Sequence, residues 1–216
     1  MTTTLQIPKI PHPNTQDWNA LSMAFENAPS MSYAQNWLSE QDAQFRPATV
    51  SIAHDGENVL IFADLKDDDL CSKATANGQH IWDLGDVFEI FFRDLAGDRY
   101  YELHVAPNGF NLQLRWPSES FFRAKNYTIA DVSVSIPIFK YQVRSVAGGW
   151  QVYAELPAAI LFESKTKLTE STWSLSFGRY DVSFDKNEQI LSSTAPHELP
   201  LSFHNQQYWP HIQFSA

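Results

Sequence analysis

Asp86-Val-Phe-Glu-Ile-Phe-Phe-Arg93, then Arg99-Tyr-Tyr-Glu-Leu-His-Val-Ala106, then Phe110-Asn-Leu-Gln-Leu-Arg-Trp116, is the stretch that decides the fold. Successive side chains of a strand point to opposite faces. In the first segment Phe88, Ile90 and Phe92 therefore share one face, and Val87, Glu89 and Phe91 the other. The wholly apolar face is predicted to be core. A reversal near Leu95–Gly97 brings the second segment back antiparallel, with Tyr101, Leu103 and Val105 in core parity and Glu102 and His104 pointing away. Counting around that turn sets Glu89 opposite Glu102. The turn at Pro107-Asn108-Gly109 then adds Asn111, Gln113 and Arg115 as a third row on the Glu89 face.

Outward from this hairpin pair, further runs rich in β-branched and aromatic residues fall at Thr49–His54, Val59–Leu65, Val132–Ile138, Tyr141–Val146, Trp150–Leu156, Trp173–Asp181 and Ile212–Phe214. Asp55-Gly56 and Gly148-Gly149 punctuate them with turn chemistry. About ten short strands with little helix predict an all-β, antiparallel β-sandwich. Short helices are expected around Tyr33–Gln41 and from Ala158 to Leu161, and the proline-bearing Leu5–Pro13 is expected to run extended along the surface. With no repeat and no linker-like shift in composition, residues 1–216 read as a single domain, of which 1–45 form an N-terminal extension packed on the sandwich.

The composition sets limits on function. Hydrophobic residues make up 44% of the chain and include 15 Phe, 8 Tyr and 7 Trp, enough for a sizeable core. Twenty-five acidic against 15 basic residues give a formal net charge of -10, a field that repels nucleic acid and anionic lipid. The single cysteine, Cys71, excludes an internal disulfide framework and a cysteine-based zinc site. Met1-Thr-Thr-Thr-Leu-Gln-Ile-Pro lacks the features of an export signal, and no stretch is apolar for long enough to span a bilayer. The expected location is cytoplasmic as written, or secreted or periplasmic if a leader has been removed.

On the Glu89 face, a plain solvated surface is the default for an antiparallel sheet. Two details argue for more. Directly opposed glutamates destabilise a sheet unless His104, Arg115, a metal or a ligand offsets them. Phe91 and Tyr100 also bring aromatic surface to the same face, beside a loop carrying Trp82. Sugars are bound by aromatic rings under their C–H faces and by planar carboxylates, amides and guanidinium groups that bond hydroxyl pairs. Trp116 ends the third strand, while Trp150 and Trp173 are assigned to core.

Five blocks carry a family resemblance: Trp82-Asp-Leu-Gly-Asp-Val-Phe-Glu-Ile-Phe-Phe92, Tyr100-Tyr-Glu-Leu-His-Val-Ala-Pro-Asn-Gly109, Gly149-Trp-Gln-Val-Tyr-Ala-Glu-Leu-Pro157, Trp173-Ser-Leu-Ser-Phe-Gly-Arg-Tyr-Asp181 and Ser202-Phe-His204. In this order they resemble carbohydrate-binding module family 9-like proteins, within the wider DOMON-like group, over nearly the whole chain from about Thr49. The resemblance implies a non-catalytic β-sandwich that holds sugar between two aromatic side chains. The first maps to Trp82 and the second falls near Phe203, with Tyr208 and Trp209 able to share its role. The family's strand glutamate maps to Glu89. An arginine of some sugar-binding members falls at Glu102, a reversal of charge. Arg179 and His204, in the last two blocks, complete the expected ligand-binding set. Members also use calcium for structure, which makes Asp64 and Asp67, in the run Asp67-Asp68-Asp69, candidate ligands; no cofactor is otherwise required.

Two alternatives stand beside carbohydrate binding. Glu89 and Glu102 with His104 form a candidate acid–base group for glycan cleavage, although no nucleophile elbow, His-Glu-x-x-His or phosphate loop accompanies them. Haem binding would call on His104 and His204 as axial ligands, because Met1, Met23 and Met31 all lie before the sandwich strands.

Overall fold

The computed structural model describes residues 4–161 and 167–216; Met1, one of the methionines weighed above, lies outside the described residues. Among them, twelve strands form two sheets. The first contains β1 (Leu5–Ile7), β5 (Val87–Asp94), β6 (Tyr100–Val105), β7 (Asn111–Trp116), β10 (Thr172–Ser183), β11 (Glu188–Ser193) and β12 (His211–Phe214). Its order is β1-β12-β10-β5-β6-β7, with β11 continuing along the β10 edge that β12 begins. The second contains β2 (Ser30–Ser32), β3 (Ala48–His54), β4 (Asn58–Lys66), β8 (Lys140–Val146) and β9 (Gly149–Pro157), in the order β2-β3-β4-β9-β8. Every pairing is antiparallel except β1 with β12. The all-β sandwich expected from the alternation is the fold.

Phe88, Ile90 and Phe92, with Tyr101, Leu103 and Val105, meet Val50, Ile61, Trp150 and Val152 of the facing sheet, so the core parity holds. Trp173 also joins this core. Burying such side chains contributes on the order of 1.5–3 kcal/mol each, which is what holds the two sheets face to face.

Several expected elements differ. The stretch before Phe45 is woven into both sheets: Leu5–Ile7 pairs with β12 instead of running over the surface, and Ser30–Ser32 edges the second sheet. The N-terminal helix is α1 (Trp18–Ala24), capped by Asp17, and Tyr33–Gln41 is not helical. Leu21 of α1 and Phe25, its C-cap, pack on Leu60, Phe62 and Tyr153 and so cover the outer face of the second sheet. The expected Val132–Ile138 strand is absent. The Gln113 amide takes a strand's place there, donating to Val134 O at 3.3 Å and accepting from Ile138 N at 2.7 Å. Three more short helices, α2 (Glu119–Ala124), α3 (Ile129–Val132) and α4 (Ala158–Leu161), complete the described helices longer than a 3₁₀ turn; α4 is the one expected after Pro157.

The outer face of the first sheet is also closed. Val87, Phe91, Leu112, Leu114 and Trp116 lie buried there beneath Ile81, Phe203 and Trp209 of the loops above. This cover turns a sheet face into a cleft.

Candidate ligand-binding site

Register aligns the outward side chains of the first sheet in rows. Gly178, Glu89, His104 and Leu112 form one row across β10, β5, β6 and β7, and Ser176, Phe91, Glu102 and Leu114 form the next. Glu89 therefore faces His104 directly, and Glu102 faces Phe91. The opposition of Glu89 to Glu102 expected from the count is off by two residues. The connecting loop is the five-residue Leu95–Arg99, tied by Asp94, which accepts from the Ala96 and Gly97 backbone, and by Arg93, which donates to Gly97 O.

The third row is corrected more sharply. Pro107-Asn108-Gly109 is a three-residue loop closed between Ala106 and Phe110, with Gly109 at φ +85°, and it pairs Val105 with Asn111, Leu103 with Gln113 and Tyr101 with Arg115. Asn111, Gln113 and Arg115 thus share the parity of the core row, and Leu112, Leu114 and Trp116 take the Glu89 face. Asn111 donates to the Tyr141 hydroxyl at 2.8 Å, Gln113 holds the 134–138 segment, and Arg115 is exposed.

Arg179 is also on the wrong face for the ligand: it aligns with Phe88 and is 1% exposed. Its guanidinium donates to Arg46 O at 3.0 Å and to Lys66 O, and pairs with Asp181 at 2.8 Å and Asp67 at 3.4 Å. It is a clamp between the sheets.

Trp82, Glu89, Glu102, Phe203 and His204 are brought together. They line a cleft of about 290 Å³, at the small end of the range for small-molecule sites. His104, fully buried, lies beneath it. Trp82 sits on a 3₁₀ turn (Ile81–Asp83), half-buried, stacked on His80 at 4.8 Å and edge-on to His104 at 5.3 Å. Phe203 packs edge-on to Phe91 and Tyr180. Trp209 supports that loop from below, its indole N–H donating to Phe203 O at 2.8 Å, and Tyr208 bonds Glu198, so neither shares the ring position of Phe203.

The polar floor is one connected group. Glu102 accepts from His104 Nε2 at 2.7 Å and from the Trp116 indole at 2.6 Å, and His204 Nε2 stands 3.6 Å away. Tyr100 hydroxyl meets His204 Nδ1 at 2.8 Å, and the His204 ring lies flat on Phe122. Glu89 is 3% exposed, and its nearest polar partner among the described residues is His104 Nε2, at 3.4 Å. Burial pushes the Glu89 carboxyl well above the usual range; the nearby His104 works against this and Glu102 adds to it. Burial would also raise Glu102, but His204, His104 and the hydrogen bonds outweigh it and hold that carboxyl low. Glu89 and Glu102 outweigh the burial of His104 and raise its pKa, whereas burial dominates at His204 and lowers it. At neutral pH Glu102 is therefore ionised and Glu89 carries its proton.

Both oxygens of Glu102 are engaged, so of the two carboxyls proposed as an acid–base pair, only Glu89 is left free to meet a ligand. The haem arrangement does not fit: both histidines turn Nε2 toward the same carboxylate, and His104 is already bonded to it. The calcium pair is also divided. Asp64 bonds Lys66 and Gln151, while Asp67 groups with Asp69 and Asp181 around the Arg179 guanidinium.

Sequence reasoning missed Gly178, Tyr180, Phe122 and Tyr127, and left Trp116 open between packing and ligand contact. The alternation of Trp173, Leu175 and Phe177 into the core contained the signal for Gly178 and Tyr180, since it leaves them on the outer face. Gly178 also makes room for the site: a Cβ there would lie 2.8 Å from both Glu89 Oε2 and a Phe203 ring carbon.

The chain is an antiparallel β-sandwich with an aromatic-walled cleft over one sheet, and this is the fold seen in carbohydrate-binding module family 9. A candidate carbohydrate-binding protein from Bacteroides uniformis ATCC 8492 superposes with a TM-score of 0.75 at 16% identity, over 100% of both chains. A family 9 module from Caldicellulosiruptor kristjanssonii superposes in complex with glucose at TM-score 0.64 and 13% identity, covering 99% of this chain and 96% of that one. In complex with cellotriose it gives 0.62 and 12%, covering 99% and 94%. No protein-family profile and no curated protein matches the sequence.

Proposed function

We propose that the chain binds carbohydrate without transforming it, in the cleft floored by Glu89 and walled by Trp82 and Phe203. The observation that carries this reading is the placing of a buried carboxyl with no close partner at the bottom of an aromatic cleft large enough for one sugar ring. Rings under the C–H faces and a carboxyl for a hydroxyl pair are the two elements of sugar recognition. The shared fold with structures solved around glucose and cellotriose supports it.

Tryptophan fluorescence titrated with a panel of mono- and oligosaccharides tests the proposal. At least one sugar should shift the emission, and Trp82→Ala should weaken its binding at least tenfold, about 1.4 kcal/mol. A silent panel, or a Trp82→Ala protein that binds like the parent, would sink it.

The Asp67 group is proposed to need no calcium, because Arg179 already places a fixed cation among Asp67, Asp181 and the adjoining carbonyls. A chelator should leave the melting temperature unchanged; a rise with calcium that the chelator reverses would show an ion bound there.

A further inference from the structure

We propose that the sugar this cleft is built for carries a protonated amine: a 2-amino-2-deoxyhexose with its nitrogen free instead of acetylated. This rests on the carbohydrate reading above and names the class of sugar within it.

Among the described residues, those lining the cleft include no lysine or arginine. The guanidinium of Arg123, next in sequence to the lining residue Phe122, is engaged by Glu119 and Asn205. Of the two carboxyls on the floor, Glu102 is hydrogen-bonded at both oxygens and Glu89 only faces His104 Nε2 at 3.4 Å; once ionised, Glu89 can only accept. A buried carboxylate without donors is costly, and a ligand ammonium with three N–H donors relieves that cost best. The walls suit the same charge. Trp82, Phe91, Tyr180 and Phe203 line the cleft, and aromatic rings attract ammonium groups most strongly in desolvated sites. The chain's formal charge of -10 adds long-range attraction for a cationic glycan.

The arrangement predicts a proton coupling. The titratable groups facing Glu89 are Glu102 and His104 from β6, Tyr180 from β10, Tyr33 from the segment after β2, and, across Glu102, His204 from the last loop. Of these, His104 favours the ionised form of Glu89, but burial and Glu102 hold the proton on. An entering ammonium supplies the missing positive charge, so Glu89 ionises and its proton leaves to solvent. Affinity for an amino sugar therefore rises with pH until the amine itself loses its proton, and affinity for a neutral sugar does not.

Calorimetric titration of the full chain with glucosamine, galactosamine, glucose, galactose and N-acetylglucosamine tests this, at pH 6.0 and 7.5 in buffers of different ionisation enthalpy. At least one free amino sugar should bind ten times more tightly than its neutral and acetylated counterparts, more tightly at the higher pH, with net proton release. Glu89→Gln, close to isosteric, should remove both the preference and the proton release while keeping the parent's melting temperature or raising it. If Glu89→Gln fails to fold, the parent's preference and its buffer dependence decide alone. Neutral or acetylated sugar binding as tightly as amino sugar would overturn the proposal and leave the carbohydrate reading standing. No binding by any of the five, nor by a broad glycan panel, would overturn both.

Discussion

Arg179→Met should cost about 3–5 kcal/mol of folding stability, the penalty for removing one member of a buried ion-pair network, while leaving sugar affinity of the folded fraction unchanged. Arg179 satisfies the carbonyls of Arg46 and Lys66 and neutralises Asp67 and Asp181, joining β10 of one sheet to the ends of β3 and β4 in the other. Methionine fills much of the volume and none of these partners. The loss should depend on pH. Burial already pushes Asp181 up to about 6 and raises Asp67, with Arg179 holding both lower than they would otherwise be. Without the guanidinium both rise further above the unfolded value of roughly 3.9, so the folded state of the variant keeps protons that the unfolded chain has released. Its stability then falls as pH rises through and beyond this window. Urea denaturation at pH 5 and pH 8 should show the larger deficit at pH 8. Equal deficits would mean that the carbonyls, and not the carboxylates, are what Arg179 serves.

Gly178→Val should abolish detectable binding, a loss of at least a hundredfold or about 2.7 kcal/mol, with a stability cost of roughly 1–3 kcal/mol. The physical argument is local. A Cβ at this position already lies 2.8 Å from Glu89 Oε2 and from a Phe203 ring carbon, closer than such contacts occur, and valine adds two methyl groups. Both neighbours must move, and both belong to the proposed site. Gly178→Ala should show the same effect in milder form. Fluorescence titration measures the affinity and thermal denaturation the stability. Wild-type affinity in Gly178→Val would mean that neither Glu89 nor Phe203 touches the ligand.

The limits of sequence reading can be traced to particular residues. The outward set Val87, Glu89 and Phe91 and the inward set Phe88, Ile90 and Phe92 were legible because strand alternation is a local property of the backbone. The partner of Glu89 was less legible, since the five-residue loop at Leu95–Arg99 moved the register by two and replaced an expected glutamate with His104. Parity failed outright at Asn111, Gln113 and Arg115, where one extra loop residue flips every side chain of the next strand. Val132–Ile138 had the alternation of a strand, but it meets β7 only in a single bridge of Ser133 with Leu114, and the Gln113 side chain takes up Val134 O and Ile138 N instead of a continued ladder.

By itself, then, the sequence determined the class of fold and the core rows of β5 and β6, and it named Trp82, Glu89, Glu102, Phe203 and His204 within a wider set that also held Asn111, Gln113, Arg115 and Arg179. Alternation and ordered local blocks are enough for that. Only the tertiary structure decided that Arg179 clamps the sheets, that Trp116 and Gly178 belong to the site, and that loops from residues 81–83, 119–127 and 202–204 roof the sheet into a cleft. Those outcomes depend on loop lengths and on contacts between segments distant in the chain, and neither has a period that can be read along a sequence.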